Sequence, residues 1–205
     1  MYVPTQFAES DPAQLAAIMR DAPFATLVTV VDGAPFATHL PLLHETESGT
    51  NGRIVGHMAR QNPHWRSFGG SAETLAIFHG PHAYVSPTWY AAQPSVPTWN
   101  YAVVHAYGRP SIVEDAARAR TLLDRLIAAF EADWSLTGLP PAYVEGMMRG
   151  IVTFEMPVAR IEGKAKLSQN RTADDRARVA RRLAGAPDTA EARTGAMMTD
   201  ATRAR

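Results

Sequence analysis

The sequence predicts a mainly β (α+β) fold, an antiparallel barrel with helices at its rim. Three observations carry this expectation: six or seven strand-like runs can be counted, several neighbouring runs are joined by short turns, and the helical stretches sit around them instead of alternating with them. Short connections join antiparallel neighbours, whereas a doubly wound sheet needs regular strand-helix alternation.

The elements follow in order. Ser10-Asp11-Pro12 combines a capping side chain with a proline whose missing N–H does no harm, so it starts a short helix. Leu15, Ile18 and Met19 keep helical spacing until Asp21, and Pro23 stops it. Ala25 to Val31 is β-branched, Asp32-Gly33 is a hairpin turn, and Phe36 to Leu43 is the partner strand. On that strand Phe36, Thr38 and Leu40 share one face, with Ala37 and His39 on the other. Glu45 to Gly52 is a polar loop and Arg53 to Ala59 a third strand. Asn62-Pro63 opens a short helix carrying Trp65 and Phe68, closed by Gly69-Gly70. Thr74 to His79 is a fourth strand, and Gly80-Pro81 turns it into His82 to Val85.

Val85 to Tyr107 is organised differently. Trp89, Tyr90, Trp99, Tyr101 and Tyr107 lie among Pro87, Pro94 and Pro97, which neither helix nor strand periodicity explains. Proline fixes φ and cannot donate to a ladder, so this is an ordered loop that ends in a strand from Tyr101 to Tyr107. Its rings and polar neighbours suit a wall for a planar ligand, and equally a plug for a barrel end. Gly108-Arg109-Pro110 is a bulge or bend, and Ser111 to Val113 continues. Asp115 caps a helix in which Leu122, Leu126, Phe130 and Trp134 form one apolar face with Leu123 and Ile127. After Gly138 and Pro140-Pro141 come a second helix, Ala142 to Arg149, and a late strand, Ile151 to Ile161. Gly163 to Arg171 is polar. Thr172 with Asp175 forms a capping box for a basic helix that carries Arg176, Arg178, Arg181 and Arg182. The expected organisation is one domain over 1–170, a C-terminal helix over 171–184, and a disordered tail over 185–205, which is small, polar and aperiodic.

Composition narrows the function. Twenty basic residues balance twenty acidic ones, so no global field recruits nucleic acid or anionic membrane. The absence of cysteine excludes disulfides, thiolate catalysis and zinc–sulfur sites. No apolar run reaches membrane-span length and no signal-peptide core is visible, which leads to the expectation of a soluble, cytoplasmic protein.

Three places carry chemistry. Seven histidines are present without a metal-binding spacing, and His39 and His57 stand out on strands among apolar residues; an ordinary histidine bonded to a carbonyl is the alternative for each. Arg60, between a strand end and the helix start at Asn62-Pro63, sits where phosphate binds, or is simply a solvated arginine. Lys166-Leu167-Ser168-Gln169-Asn170-Arg171 is dense in donors and acceptors, fit for the polar edge of a ligand or for capping the next helix. From Arg171 onward eight arginines face five acids, a small excess that reads as a solvated face more readily than as a DNA contact. A glycine-rich dinucleotide fingerprint and a GxSxG elbow are both missing.

Taken together, six motifs resemble the PaiB family of FMN-binding negative transcriptional regulators, within the flavin-binding split barrels that include pyridoxamine phosphate oxidase. They are Met1 to Pro4; Thr38-His39-Leu40-Pro41; Gly56 to Arg60 with Asn62-Pro63 and Trp65; Val85-Ser86-Pro87 with Trp89-Tyr90; Val96 to Tyr101; and Lys166 to Asn170. The resemblance implies an antiparallel split β-barrel of the FMN-binding type and a homodimer with FMN at the subunit interface. It implies Thr38, His39 and Leu40 along the flavin, His57 and Met58 behind the ring or ribityl chain, and Ala59 with Arg60 at the phosphate, with Asn62 also among the cofactor-binding residues. Thr98, Trp99 and Asn100 would close the site, from the same subunit or the other one, and Lys166 and Gln169 would approach from the C-terminal strand. Three functions are compatible with it: a flavin-binding regulator, a flavin-dependent oxidoreductase acting on a small molecule, and, more distantly, a haem-binding or haem-degrading protein.

Overall fold

The computed structural model describes residues 1–203, with side chains through residue 201. Eight strands form the sheet: β1 (Ala8–Glu9), β2 (Phe24–Val31), β3 (Ala34–Glu45), β4 (Arg53–Ala59), β5 (Thr74–Val85), β6 (Thr98–Gly108), β7 (Ser111–Ile112) and β8 (Ile151–Lys166). The helices are α1 (Pro12–Asp21), α2 (Ala116–Phe130), α3 (Pro141–Arg149), α4 (Ala173–Ala184) and α5 (Thr189–Arg203). Hydrogen bonds link the strands in the order β1-β8-β4-β3-β2-β5-β6, with β7 on β8 and a further pairing of β8 with β6. The antiparallel hairpin from Asp32-Gly33 is as expected, with Thr26 opposite His39 and Leu27 opposite Thr38. Asp32 and Gly33 both take positive φ, 51° and 80°, which a two-residue hairpin of this hand requires.

Contacts divide the chain into two units. The first comprises Met1–Ile18, His79–Val104 and the chain from Glu162 onward; the second comprises Met19–Phe78 and His105–Ile161. In the first, Ala83, Val85, Tyr90, Ala165 and Leu167 pack with Val179, Ala180, Leu183 and Met198 from α4 and α5. In the second, Val55 packs with Leu122 and Leu126 of α2.

Several expectations are corrected. The disordered tail is instead helix α5 through Arg203; Ala204 and Arg205 lie outside the described residues. Its small residues are what allow it to pack: a Cβ on Gly195 would lie 2.5 Å from Ala184 N and 2.9 Å from Ala180 O, and Thr194 is fully buried. Gly80-Pro81 makes no turn, because β5 runs straight through it. The glycine answers a close approach, since a Cβ there would stand 3.0 Å from the Ala102 carbonyl oxygen. The helix at Asn62 is a 3-10 turn, Pro63–Ser67, and Phe68 is its C-cap. Strand β6 starts at Thr98, not Tyr101, and β8 extends to Lys166, absorbing much of the polar segment. Helix α2 ends at Phe130 where Glu131 turns extended, so Phe130 and Trp134 leave the apolar row and stand half exposed.

Candidate functional site

The second unit holds Thr38, His39, Leu40, His57, Met58, Ala59, Arg60 and Asn62. On β3 the alternation is as expected: Leu40 is buried, Thr38 half-buried and His39 exposed. On β4, Met58 is buried and His57 half-buried, with its Nδ1 enclosed and unpartnered. Burial lowers the His57 pKa, so the ring is held neutral. His44 Nδ1, Tyr90 Oη and Asp175 Oδ2 are enclosed in the same way, but His57 is the one on the strand that runs directly into Arg60, and a buried polar atom without a partner marks a position where a further group fits.

Arg60 and Ala59 are exposed at the end of β4. The guanidinium is anchored from one side: Nε donates to Arg149 O at 2.8 Å and Nη2 to Ile151 O at 2.7 Å. Those carbonyls close α3 and open β8, and they leave the remaining N–H donors of the fork aimed elsewhere. Three neighbouring backbone donors are spent. Arg60 N reaches Gly150 O, Asn62 N reaches Ala59 O, and His64 N reaches Asn62 Oδ1. A phosphate here would therefore meet a pre-oriented guanidinium and not a ring of open backbone amides. Asn62 also donates through Nδ2 to Thr38 Oγ1 at 3.1 Å, and Thr38 Oγ1 stands 2.8 Å from His64 Nδ1. His64 was one histidine among seven in the sequence; its place two residues after the Asn62 cap was the available signal.

The first unit holds Thr98, Trp99, Asn100, Lys166 and Gln169. Trp99 is 53% exposed, and it lines a cleft of about 350 Å³ with His79, His82 and Tyr101. Lys166 Nζ donates to Thr98 Oγ1 and to Trp99 O, both at 2.6 Å. Burial, followed by the like charges of Lys164 and Arg171, lowers its pKa. An ammonium in that setting gains from any anion brought near it. Asn100 and Gln169 work inward. Asn100 is fully buried, with Nδ2 on Ser168 Oγ at 3.0 Å and near Met198 Sδ at 3.3 Å. Gln169 accepts from Leu167 N at 2.6 Å and donates to Ala165 O, clamping a bend in which Ser168 has φ 63°.

The second unit's set fits FMN in kind: a guanidinium for a phosphate, a hydroxyl and an imidazole nitrogen for oriented polar contacts, and a buried methionine beside them. Among the described residues no group of three His, Asp or Glu side chains is placed to hold a metal ion. No described helix is long and apolar enough to cross a membrane.

Comparison with known proteins agrees. A family described as "Putative FMN-binding domain" matches residues 1–160. The Bacillus subtilis protein named protease synthase and sporulation protein PAI 2 is 37% identical over 178 residues, covering 85% of each chain. An Emericella nidulans protein, AN0679, is 30% identical over 219 residues, 86% of this chain and 87% of its own. Among solved structures, the FAD and heme binding protein from Mycobacterium smegmatis superposes with a TM-score of 0.60 at 18% identity, over 82% of this chain and 78% of that one. The flavocytochrome Anf3 from Azotobacter vinelandii gives 0.60 at 16%, over 82% and 74%. These two likenesses are of fold, and they place the sheet among split barrels. A match from the first residue to residue 160 and a relative aligned over most of both lengths have one meaning: the chain belongs to the FMN-binding domain family that includes PaiB, and its cofactor is FMN.

Proposed function

We propose that the protein is a cytoplasmic flavoprotein regulator of the PaiB type, with FMN held at the interface of a homodimer. Arg60 takes the phosphate, Thr38 and His57 orient the ring or ribityl chain, and His39, Leu40, Met58, Ala59 and Asn62 complete the wall. Thr98, Trp99 and Lys166 come from the second copy, with Asn100 and Gln169 holding them in place. The observation that carries this reading is the His57 imidazole, whose enclosed Nδ1 lacks a partner on the same strand that leads to Arg60. FMN bound there brings its own redox chemistry; the residues named bind and orient it and exclude water.

A second reading, an FMN-dependent oxidoreductase, is favoured by the state of arginines on the basic helix and just before it. Arg178 is paired with Asp174 at 2.8 Å, Arg182 lies 5.9 Å from the Trp89 ring centroid, and Arg171 lies 4.4 Å from that of Tyr90. Arginines engaged in this way present a weaker surface to DNA phosphates. Three measurements test the proposal. The fresh protein should show flavin absorption bands and no Soret band, and should scatter light as a dimer. Gel shifts should retain sequence preference when salt is raised. A monomer that binds FMN tightly sinks the interface placement, and shifts that vanish with salt and ignore sequence remove operator binding and leave the oxidoreductase.

A further inference from the structure

A buried hydrogen-bonded chain runs through the second unit behind Thr38. Thr74 Oγ1 lies 2.7 Å from Thr29 Oγ1, Thr29 Oγ1 lies 3.0 Å from His64 Nε2, and His64 Nδ1 lies 2.8 Å from Thr38 Oγ1. Thr29, His64 and Thr74 are each 1% exposed, whereas Thr38, at the other end, is half-buried. The rings of Phe36 and Phe68 flank the imidazole, with centroids at 4.9 and 5.6 Å.

The direction of the protons follows from counting them. Asn62 is fixed first. Its Oδ1 accepts the His64 backbone N–H at 3.0 Å, so its NH₂ is the end that faces Thr38 and donates at 3.1 Å. At the closed end, the Thr74 hydroxyl has Thr29 Oγ1 as its side-chain partner, so its proton goes there; a buried donor left unpaired is the costlier alternative. Two protons cannot share one O···O line, so the Thr29 proton goes to His64 Nε2. Nε2 must then offer a lone pair. A neutral imidazole has one N–H, which is now on Nδ1 and donates to Thr38. Thr38 Oγ1 thus receives protons from both His64 and Asn62, and its own proton has no acceptor within the chain.

We infer that His64 is a positioning residue which, through this chain, fixes the Thr38 hydroxyl as an outward donor, so that the ligand atom meeting Thr38 is a hydrogen-bond acceptor, a carbonyl or a phosphate oxygen. The ligand half of this inference rests on the proposed placement of Thr38 at the flavin; the proton direction does not.

The experiment has two arms. In the first, the full chain with isotope-labelled histidine is examined by NMR without added flavin. His64 is expected as the Nδ1–H tautomer with Nε2 unprotonated; an Nε2–H ring, or a mixture of the two tautomers, overturns the proton direction. In the second, FMN and riboflavin are titrated into variants. Thr38→Val should weaken FMN about tenfold and Thr38→Ser should restore it to within about threefold, as expected for a single hydrogen bond in a binding site. His64→Asn, whose amide stands in for the Nδ1 donor, should bind FMN more tightly than His64→Gln, whose amide reaches toward Thr29. Equal binding by these two makes His64 a packing residue only and overturns its positioning role. Loss of FMN and riboflavin together on Thr38→Val assigns a ring or ribityl acceptor; loss of FMN alone assigns the phosphate. Unchanged binding of both by Thr38→Val overturns the ligand half, and the NMR result shows whether the chain or the flavin placement has failed.

Discussion

His57 and His64 give the protein a built-in response to acid. Burial lowers both pKa values, so the folded state favours the neutral rings. In the unfolded chain each titrates near the ordinary histidine value of about 6.5. Below that pH the unfolded state binds more protons than the folded one, so stability is fully present above it and falls as pH drops toward the folded values. Urea midpoints measured from pH 7.5 to 5 should therefore decline, and His64→Asn, which removes one titrating group, should decline less steeply. A parallel slope in the variant would mean that His64 titrates normally. Arg60 supplies the second prediction at this scale. Arg60→Ala should weaken FMN more than riboflavin, by about 1.5 kcal/mol, the low end for a charge-assisted hydrogen bond because the residue is exposed. Equal loss for both ligands would remove Arg60 from the phosphate. The place of Arg60, just past a strand end, was legible in the sequence because a strand followed by Asn-Pro is a local signal. The role of His64 was not, because its ring partners lie 26 and 35 residues away and only the folded sheet brings them together.

At the scale of elements, the sequence was read well where periodicity or turn chemistry is local. The hairpin at Asp32-Gly33, the Asp115 cap and the Thr172 cap all stand where expected, with Asp115 accepting from Arg118 N at 2.7 Å and Thr172 from Asp175 N at 3.2 Å. Helix α5 was missed because its sequence has little intrinsic amphipathic pattern, and such helices draw their stability from tertiary packing. That packing is against α4, with Gly195 at the close approach. Gly195→Leu should then cost about 1–3 kcal/mol through overpacking, read as a lower thermal midpoint and faster proteolysis beyond residue 185. A variant as stable and as resistant as the wild type would show that α5 is not seated on α4. The Gly80-Pro81 pair misled for a related reason. The dipeptide announces a turn, but the chain uses the glycine for clearance against Ala102 and keeps the strand going.

At the scale of the whole molecule, an ionic network ties separate elements of the second unit. Arg53 bridges Glu45 at 2.7 Å and Glu155 at 3.1 Å, Arg125 reaches Glu45 at 3.0 Å, and Arg118 reaches Glu155 at 2.7 Å. Burial works against the Glu45 carboxylate, yet Arg53 and Arg125 outweigh it and hold its pKa below the usual range. Its contribution is present above the unfolded carboxylate pKa and is lost as pH falls through the lower folded value, an acid limb below the histidine one. Net charge and family motifs were legible across the chain because they are properties of composition and order. The partners of individual donors were not, since they are set by register between strands distant in sequence.

Asp175 has a practical consequence. It is buried in α4 and accepts the Ala91 N–H at 2.7 Å, while Arg182 of the same helix lies beside Trp89. The proline-rich stretch is thus leashed to a helix more than eighty residues away in sequence, with an indole at the attachment point. A Trp89→Phe subtraction would isolate that indole's emission. Detachment of α4, whether by a protease nick or by Asp175→Ala, should then appear as a red shift in the Trp89 signal before the rest of the protein melts, so the molecule carries its own optical gauge of whether its C-terminal end is docked.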